Sequence, residues 1–385
     1  MTLDAFLVWL LKIAMVMGAI LSACAYLIYL ERKISAYMQD RMGPNRVGPW
    51  GLLQPLADGL KFILKEDVIP RHADRFLFVL APCIAILTSM LAFAVVPFGP
   101  TSDNPDEFQF VIAPGIDVGL VYIFAVGSLA VYAIIMGGWA SNNKYSLLGA
   151  LRSSAQVISY EIPLGTSVIG IVLLSSTMNL ERIVHFQADR GLEGGWSLFG
   201  WNVWIQPLAA GIFFVSALAE ANRLPFDLPE AEQELIGGYH TEYSAMKFAM
   251  FFLGEYTHVI VVSFLMSVLF FGGWHFPWIA EPGSDYTGAW AVKVAVLLAK
   301  VSAMVIFIML IRWTLPRFRF DQLMTLAWQG LVPLAFFNIV LVMAMKQYNW
   351  PLWVLTIASI VLFVSAVALN GMILQRRMKG LRVAV

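Results

Sequence analysis

Charge is the first thing this sequence is short of. Asp, Glu, Lys and Arg make up 13% of the 385 residues, where a soluble domain carries about 25%. Apolar residues reach 59% and fall in blocks longer than a buried helix of a soluble protein needs, so the deficit reads as a chain built for lipid. Cysteine is nearly absent. Cys24 and Cys83 lie in apolar blocks without CxxC spacing. They are too few to hold an iron–sulfur cluster and read as small buried hydrophobes. HExxH, GxGxxG and GxxxxGK(S/T) patterns are missing, which leaves hydrolytic and nucleotide-binding readings without their anchors. The 25 basic and 25 acidic residues balance, so nothing marks the chain for nucleic acid. A basic leader with a small-residue cleavage site is also lacking, and the first apolar block is read as a retained span.

What the sequence does have is nine apolar blocks, at 5–30, 76–98, 117–139, 155–178, 204–220, 248–271, 290–311, 326–345 and 352–375. Most reach the ~20 residues that a helix needs to cross hydrocarbon. Backbone groups in lipid must pair internally, and long blocks do so as helices. The fifth block is short and is expected to run into its polar flanks. Pro163 and Pro333 are expected to bend their spans and leave a carbonyl unpaired. The pattern predicts an all-α polytopic membrane protein, a single membrane domain over 1–385 with nine transmembrane helices. Nineteen of the 25 basic residues fall in the 31–75, 140–154, 221–247 and 312–325 loops and in the tail. Only Arg182, Arg190 and Lys346 lie in the opposite loops. The positive-inside rule puts the basic side in the cytoplasm, the N-terminus in the periplasm and the C-terminus inside. The loops 99–116, 179–203 and 272–289 read as connectors without visible chemistry.

Segment 31–75 is too charged to span. Within it Leu53, Leu56, Leu60, Ile63 and Leu64 recur at helical spacing with Asp58, Lys61 and Lys65 between them, the pattern of an amphipathic helix lying on the membrane surface. Such a helix can roof a cavity that a lipid-soluble molecule enters from the side; a plain interfacial anchor explains the pattern equally well. Just before it, Arg41-Met42-Gly43-Pro44-Asn45-Arg46-Val47-Gly48-Pro49 predicts a tightly folded loop. Its arginines can donate to a carboxylate or a headgroup, or simply be solvated.

Residues 220–242 are the most informative. They hold Glu220, Asp227, Glu230, Glu232, Glu234 and Glu242, with Arg223 and His240 as the only cationic partners in the stretch, and Glu255 follows in the next span. Pro229 suits the first turn of a helix, in which Glu230 and Glu234 share a face and Glu232 points elsewhere. Carboxylates held side by side raise each other's pKa and share protons, which is what a proton relay requires. A solvated acidic loop is the plainer alternative. Glu161, in Ser159-Tyr160-Glu161-Ile162-Pro163, and Glu255 stand inside spans, where a charge is costly unless paired or hydrated. Lys12 and Lys293 are near enough to block ends to snorkel. His258 reads as a buried neutral histidine, and without ligand spacing around it no metal site is expected.

Two long motifs now stand in register: Gly51-Leu52-Leu53-Gln54-Pro55-Leu56-Ala57-Asp58-Gly59-Leu60-Lys61, and the run from Ala219 through Pro225-Phe226-Asp227-Leu228-Pro229-Glu230-Ala231-Glu232-Gln233-Glu234-Leu235 to Glu242-Tyr243. Glu31-Arg32-Lys33, Arg41 to Pro49, Gly138-Trp139-Ala140-Ser141-Asn142, Ser159 to Pro163 and Glu255-Tyr256-Thr257 support them. Across roughly residues 20–320 the chain resembles the quinone-chamber membrane subunit of respiratory complex I, the family of the bacterial NADH-quinone oxidoreductase H subunit and of mitochondrial NADH dehydrogenase chain 1. The resemblance implies that Arg32, Arg41, Arg46, Asp58 and Arg223 belong to the quinone cavity and its entrance. It implies that Glu220, Asp227, Glu230, Glu232 and Glu234, with Arg223 among them, line the route from that cavity into the membrane. Glu161, Glu242 and Glu255 would carry the route onward. Quinone would be the substrate; NADH, FMN and iron–sulfur clusters would sit on peripheral partner subunits, and other partners would be the membrane pumping subunits and lipid. A ninth span with a basic tail exceeds the mitochondrial pattern and points to a bacterial inner membrane. A ferredoxin-fed or hydrogenase-type relative is the nearest alternative. An independent secondary transporter would show an inverted repeat, which is not visible.

Overall fold

The computed structural model describes residues 3–100, 109–193, 200–227, 237–281 and 288–383, with side chains described except at 3–6, 192–193 and 369–383. Among the described residues there is no strand, only a single bridge between Phe276 and Ala280. The helices are α1 (Leu3–Met38), α2 (Gln54–Leu64), α3 (Arg75–Leu91), α4 (Gly119–Ser128), α5 (Ala130–Ala140), α6 (Lys144–Ser175), α7 (Leu180–Glu193), α8 (Asn202–Ile205), α9 (Pro207–Glu220), α10 (Ala245–Phe270), α11 (Ala289–Thr314), α12 (Phe320–Thr325), α13 (Val332–Tyr348) and α14 (Leu352–Val383). Every predicted apolar block lies mainly on helix. Seven helical stretches among the described residues are long and apolar enough to cross a membrane, α4 with α5 and α12 with α13 each counting as one. Pro207–Glu220 and Leu352–Ala368 are shorter apolar helices.

Local chemistry sets several of these ends. Asp74 caps α3 by accepting from Phe76 N and Leu77 N, and Asn143 caps α6 by accepting from Tyr145 N. Each side-chain acceptor satisfies an amide that a helix start leaves free. Pro207 opens α9, where a missing N–H costs nothing; Pro333 lies inside the continuous Phe320–Tyr348 stretch. Just ahead of Pro333 a π-turn spans Leu326–Leu331. Helix α6 is continuous across Pro163.

Three boundaries differ from the sequence reading. Helix α1 runs on through Glu31-Arg32-Lys33 to Met38 rather than ending at residue 30, because Glu31 and Arg32 find partners on neighbouring helices. Helix α6 begins at Lys144, well before 155, on a stretch whose buried face is Ser146, Gly149, Ala150, Ser153 and Ser154. Small residues let helices approach closely without adding hydropathy, so an apolar count misses them. The 179–203 connector contains α7, capped by Asn179, which accepts from Glu181 N and Arg182 N. Leu180, Ile183, Val184 and Ala188 of α7 are buried.

Helix α10 is the hub. Its residues from Val259 to Phe270 are all buried, with α1, α3, α9 and α11 packed around it. At the end of the bundle rich in basic residues, Lys247 Nζ donates to Asp67 at 2.7 Å and Val68 N to Ser244 Oγ at 3.3 Å. These bonds tie the 65–74 segment to the start of α10. At the opposite end the lysines serve as helix C-caps. Lys300 Nζ donates to the carbonyls of Phe271, Gly273 and His275 just past α10. Lys346 Nζ donates to Leu173 O and Ser176 Oγ where α6 ends. Cations suit those ends because the last carbonyls are unpaired and the helix dipole is negative there. Lys293 is buried instead of reaching outward. It stands near His275, whose imidazole is pushed down to about 3 by burial and by the charges of His185, Lys293 and Lys300, so it stays neutral at physiological pH.

Candidate functional site

Helix α2 lies against the basic ends of α1 and α10 and closes one side of a cavity of about 310 Å³. Ile28, Tyr29, Pro55, Phe62, Ala249 and Phe252 make its wall largely apolar. Most of the apolar stripe of α2 faces away from it: Leu56, Leu60 and Leu64 are exposed, while Ile63 of the stripe lines the space together with Pro55, Asp58, Gly59 and Phe62. Arg32 Nη1 donates to Asp58 Oδ2 at 2.6 Å and Gln54 Nε2 to Asp58 Oδ1 at 3.1 Å. This ion pair is partly solvated and contributes little to stability, about 1 kcal/mol or less; its consequence is a fixed polar edge on an apolar space. A second space of about 540 Å³ shares Ile28, Arg32 and Phe252 with the first, and Glu31, Arg41, Tyr256 and Arg312 bound it. Gly51 makes the preceding loop possible. Its φ is +83° and a Cβ there would stand 2.3 Å from Pro44 O, so only glycine lets the loop close so tightly. Arg46 is exposed on this loop and lines neither space.

Behind the second space Glu31 is buried. It accepts a hydrogen bond from Arg312 Nη1 and one from Tyr256 Oη at 2.5 Å, and Arg223 Nη1 stands 3.5 Å away. The Arg223 guanidinium also lies 4.0 Å from the centre of the Tyr256 ring. Asp227, 3% exposed, accepts from Arg317 Nη2 at 3.2 Å. The sequence reading looked for cations only within 220–242. The structure brings Asp227 its partner from Arg317, in the segment after α11, where Phe318 N donates to Pro225 O at 3.2 Å and holds that segment against the acidic stretch. Gln156, fully buried on α6, shapes the same segment. Its Nε2 donates at 2.8 Å both to Ala219 O and to Phe226 O, clamping the turn that carries Asn222 and Arg223.

Deeper in the bundle a pocket of about 70 Å³ is lined by Glu220, Tyr239, Glu255 and His258 among apolar side chains of α3 to α6 and α9. Glu220 Oε1 is 3.3 Å from His258 Nε2, and Tyr239 Oη donates to Glu255 Oε1 at 3.0 Å. Tyr239 reaches the pocket because Gly149 and Gly238 let α6 and the 238–240 turn touch; a Cβ on Gly149 would lie 2.6 Å from Gly238 Cα. Glu161, half-buried on α6, lies close enough to Glu220 for the two carboxylates to repel. Glu242 sits nearer the basic end, accepting from Asn143 Nδ2 at 2.6 Å. Beside it Tyr243 stacks on Phe78 with ring centres 4.1 Å apart; burial pushes its phenol up, which keeps it protonated. Glu230, Glu232 and Glu234 lie outside the described residues.

Two short pieces of chain join the ion cluster to the pocket. On α10 Glu255 faces the pocket and its neighbour Tyr256 the cluster. At the end of α9 Glu220 faces the pocket and Arg223 the cluster. Apolar space, buried ion pairs and an inner carboxylate pocket thus follow one another from the basic end inward.

Residues 11–343 match the family model described as NADH dehydrogenase. The chain belongs to that family. Within it, NADH-quinone oxidoreductase subunit 8 of Rhodothermus marinus is 47% identical over 351 residues, covering 88% of this chain and 98% of the relative. The first of the NADH-quinone oxidoreductase H subunits of Cytophaga hutchinsonii is 46% identical, covering 82% and 90%. The corresponding H subunit of Syntrophotalea carbinolica is 44% identical, covering 91% and 98%. For this member of the NADH dehydrogenase family, sequence reasoning missed Glu31, Gln156, Tyr256, Arg312 and Arg317 as site residues. Signals existed for Glu31, an acidic residue followed by Arg32-Lys33 at the end of an apolar run, and for Tyr256, which stands in the Glu255-Tyr256-Thr257 motif. Gln156, Arg312 and Arg317 are ordinary in sequence and special only in what they touch.

Proposed function

We propose that this chain is the quinone-chamber membrane subunit of a proton-translocating NADH-quinone oxidoreductase, and that it couples quinone reduction to proton transfer through its carboxylates. One observation carries this reading: an apolar space roofed by a surface helix adjoins the Glu31–Arg223–Arg312–Tyr256 cluster, and the inner pocket follows directly. An isoprenoid tail suits the wall of Ile28, Phe62 and Phe252. Headgroup chemistry suits the polar end at Arg32, Arg41 and Arg312. Reducing a quinone consumes protons and changes local charge, and each such change alters the cost of ionising the carboxylates behind it. Asp227, Glu220, Glu161 and Glu255 then take up or release protons in turn, and Glu242 and the motif's Glu230, Glu232 and Glu234 are assigned to the same route. Electrons arrive from NADH through FMN and iron–sulfur clusters on peripheral partner subunits, and proton movement continues into membrane partner subunits. A quinone analogue carrying a photoreactive headgroup is expected to label the 41–65 and 220–235 segments of the assembled complex. Labelling confined to a region remote from both rejects the assignment.

The orientation that fits this function puts the basic end, and with it the mouth of the cavity, in the cytoplasm of a bacterial cell, the chain crossing the inner membrane nine times from a periplasmic N-terminus. The distribution of basic residues supports it. A cysteine introduced beside Arg382 is expected to react with a membrane-impermeant reagent only in inverted vesicles. Reaction from the periplasmic face alone contradicts the nine-crossing topology.

A further inference from the structure

We propose that His258 exchanges a proton with Glu220, so that the inner carboxylate ionises without leaving a bare negative charge in apolar surroundings. This rests on the coupling route above and assigns it a residue that the acidic motif does not contain. His258 Nε2 and Glu220 Oε1 are 3.3 Å apart, with side chains 18% and 11% exposed. Nε2 makes no hydrogen bond in this geometry, so a small turn of the ring brings it into line with the carboxyl. Glu220 Oε1 itself rests against the open side of Gly127 on α4, 3.4 Å from where a Cβ would be, which leaves the oxygen room to meet the ring.

Charge decides the matter. The titratable groups among the described residues lining the pocket are Glu220, Tyr239, Glu255 and His258. Helix α3 adds only the hydroxyls of Thr88 and Ser89, and α4 and α5 add apolar side chains and glycine. Tyr239 already donates to Glu255, and Glu161 repels Glu220 from α6. His258 is therefore the one described group in the wall able to carry positive charge. A charge buried beside an opposite charge costs less than the same charge buried alone. Imidazole takes and gives protons under physiological conditions more readily than other side chains. In the step, the O–H bond of the Glu220 carboxyl breaks as an N–H bond forms at Nε2. The pair changes from neutral–neutral to ion pair with no change in net charge. Release goes to Glu255, three residues back on the same face of α10.

The test uses the whole complex in native membranes. His258→Asn and His258→Gln keep a hydrogen-bonding amide but cannot carry the proton. The expected result is full assembly, quinone-reductase turnover lowered on the order of a hundredfold, a lower proton-to-electron ratio and a changed pH profile of turnover. Wild-type turnover, ratio and pH profile in either variant overturns the proposal. Loss of assembled complex in both also overturns it, in favour of a purely structural histidine. Glu220→Gln separates the two levels: if it is impaired while His258→Asn is normal, only the histidine proposal falls, and if both are normal the route at Glu220 falls with it.

Discussion

Glu31→Ala is expected to leave membranes with little assembled complex. Glu31 is 7% exposed and receives Arg312, Tyr256 and the nearby Arg223. Forming such a buried cluster gives little net stability, because desolvating the charges offsets their attraction. Removing one partner is different, since it strands charge that water can no longer reach, at a cost of about 3–5 kcal/mol. That is a large part of the ~5–15 kcal/mol that holds a typical fold. The damage also spreads, because the cluster joins α1, α10, α11 and the turn after α9. Glu31→Gln keeps an acceptor for Tyr256 and should assemble better than the alanine variant. Asp58→Ala removes a partly solvated partner of Arg32 and should leave assembly near normal. Complex content on native gels, measured for all three variants, checks the order. Wild-type content in Glu31→Ala contradicts the structural weight given to this cluster.

Most of the architecture was legible in the sequence because lipid leaves few options. Apolar blocks become helices, and all nine blocks did. What the sequence hid was of two kinds. Small-residue packing hid the first turns of α6, where Ser146, Gly149 and Ala150 do with close approach what leucines do with bulk. Distance along the chain hid the ion pairs. Glu31 meets Arg312 across 281 positions and Asp227 meets Arg317 across 90, and no local pattern encodes either pairing. The acidic motif announced which carboxylates to watch; Asp227 is buried against Arg317, and Glu220 stands 3.3 Å from His258. Their partners were left open. The outer lysines show the same division. The sequence does not say what Lys300 and Lys346 hold, and only the fold reveals that both donate to carbonyls at helix C-termini. Arg46 is the reverse case, a motif residue that stands exposed and lines neither space.

Glu161→Gln and Glu234→Gln carry the larger functional expectation. Glutamine keeps the size and most of the hydrogen bonding of the side chain but cannot take up and release a proton. Glu161 is a carboxylate inside a membrane-crossing helix near Glu220, and on the proposed route fixing it neutral removes a proton carrier. Turnover is expected to fall about a hundredfold, the lower end of what a positioned acid–base group contributes, with complex content unchanged. If these acids only dock a partner protein, content falls instead and the remaining complex turns over normally. The most direct measurement is the proton-to-electron ratio of assembled complex carrying both substitutions, read alongside its quinone-reductase turnover. Coupling through the carboxylates predicts that both quantities fall together in fully assembled complex. Full turnover and a full ratio in each single variant and in the double variant contradict it.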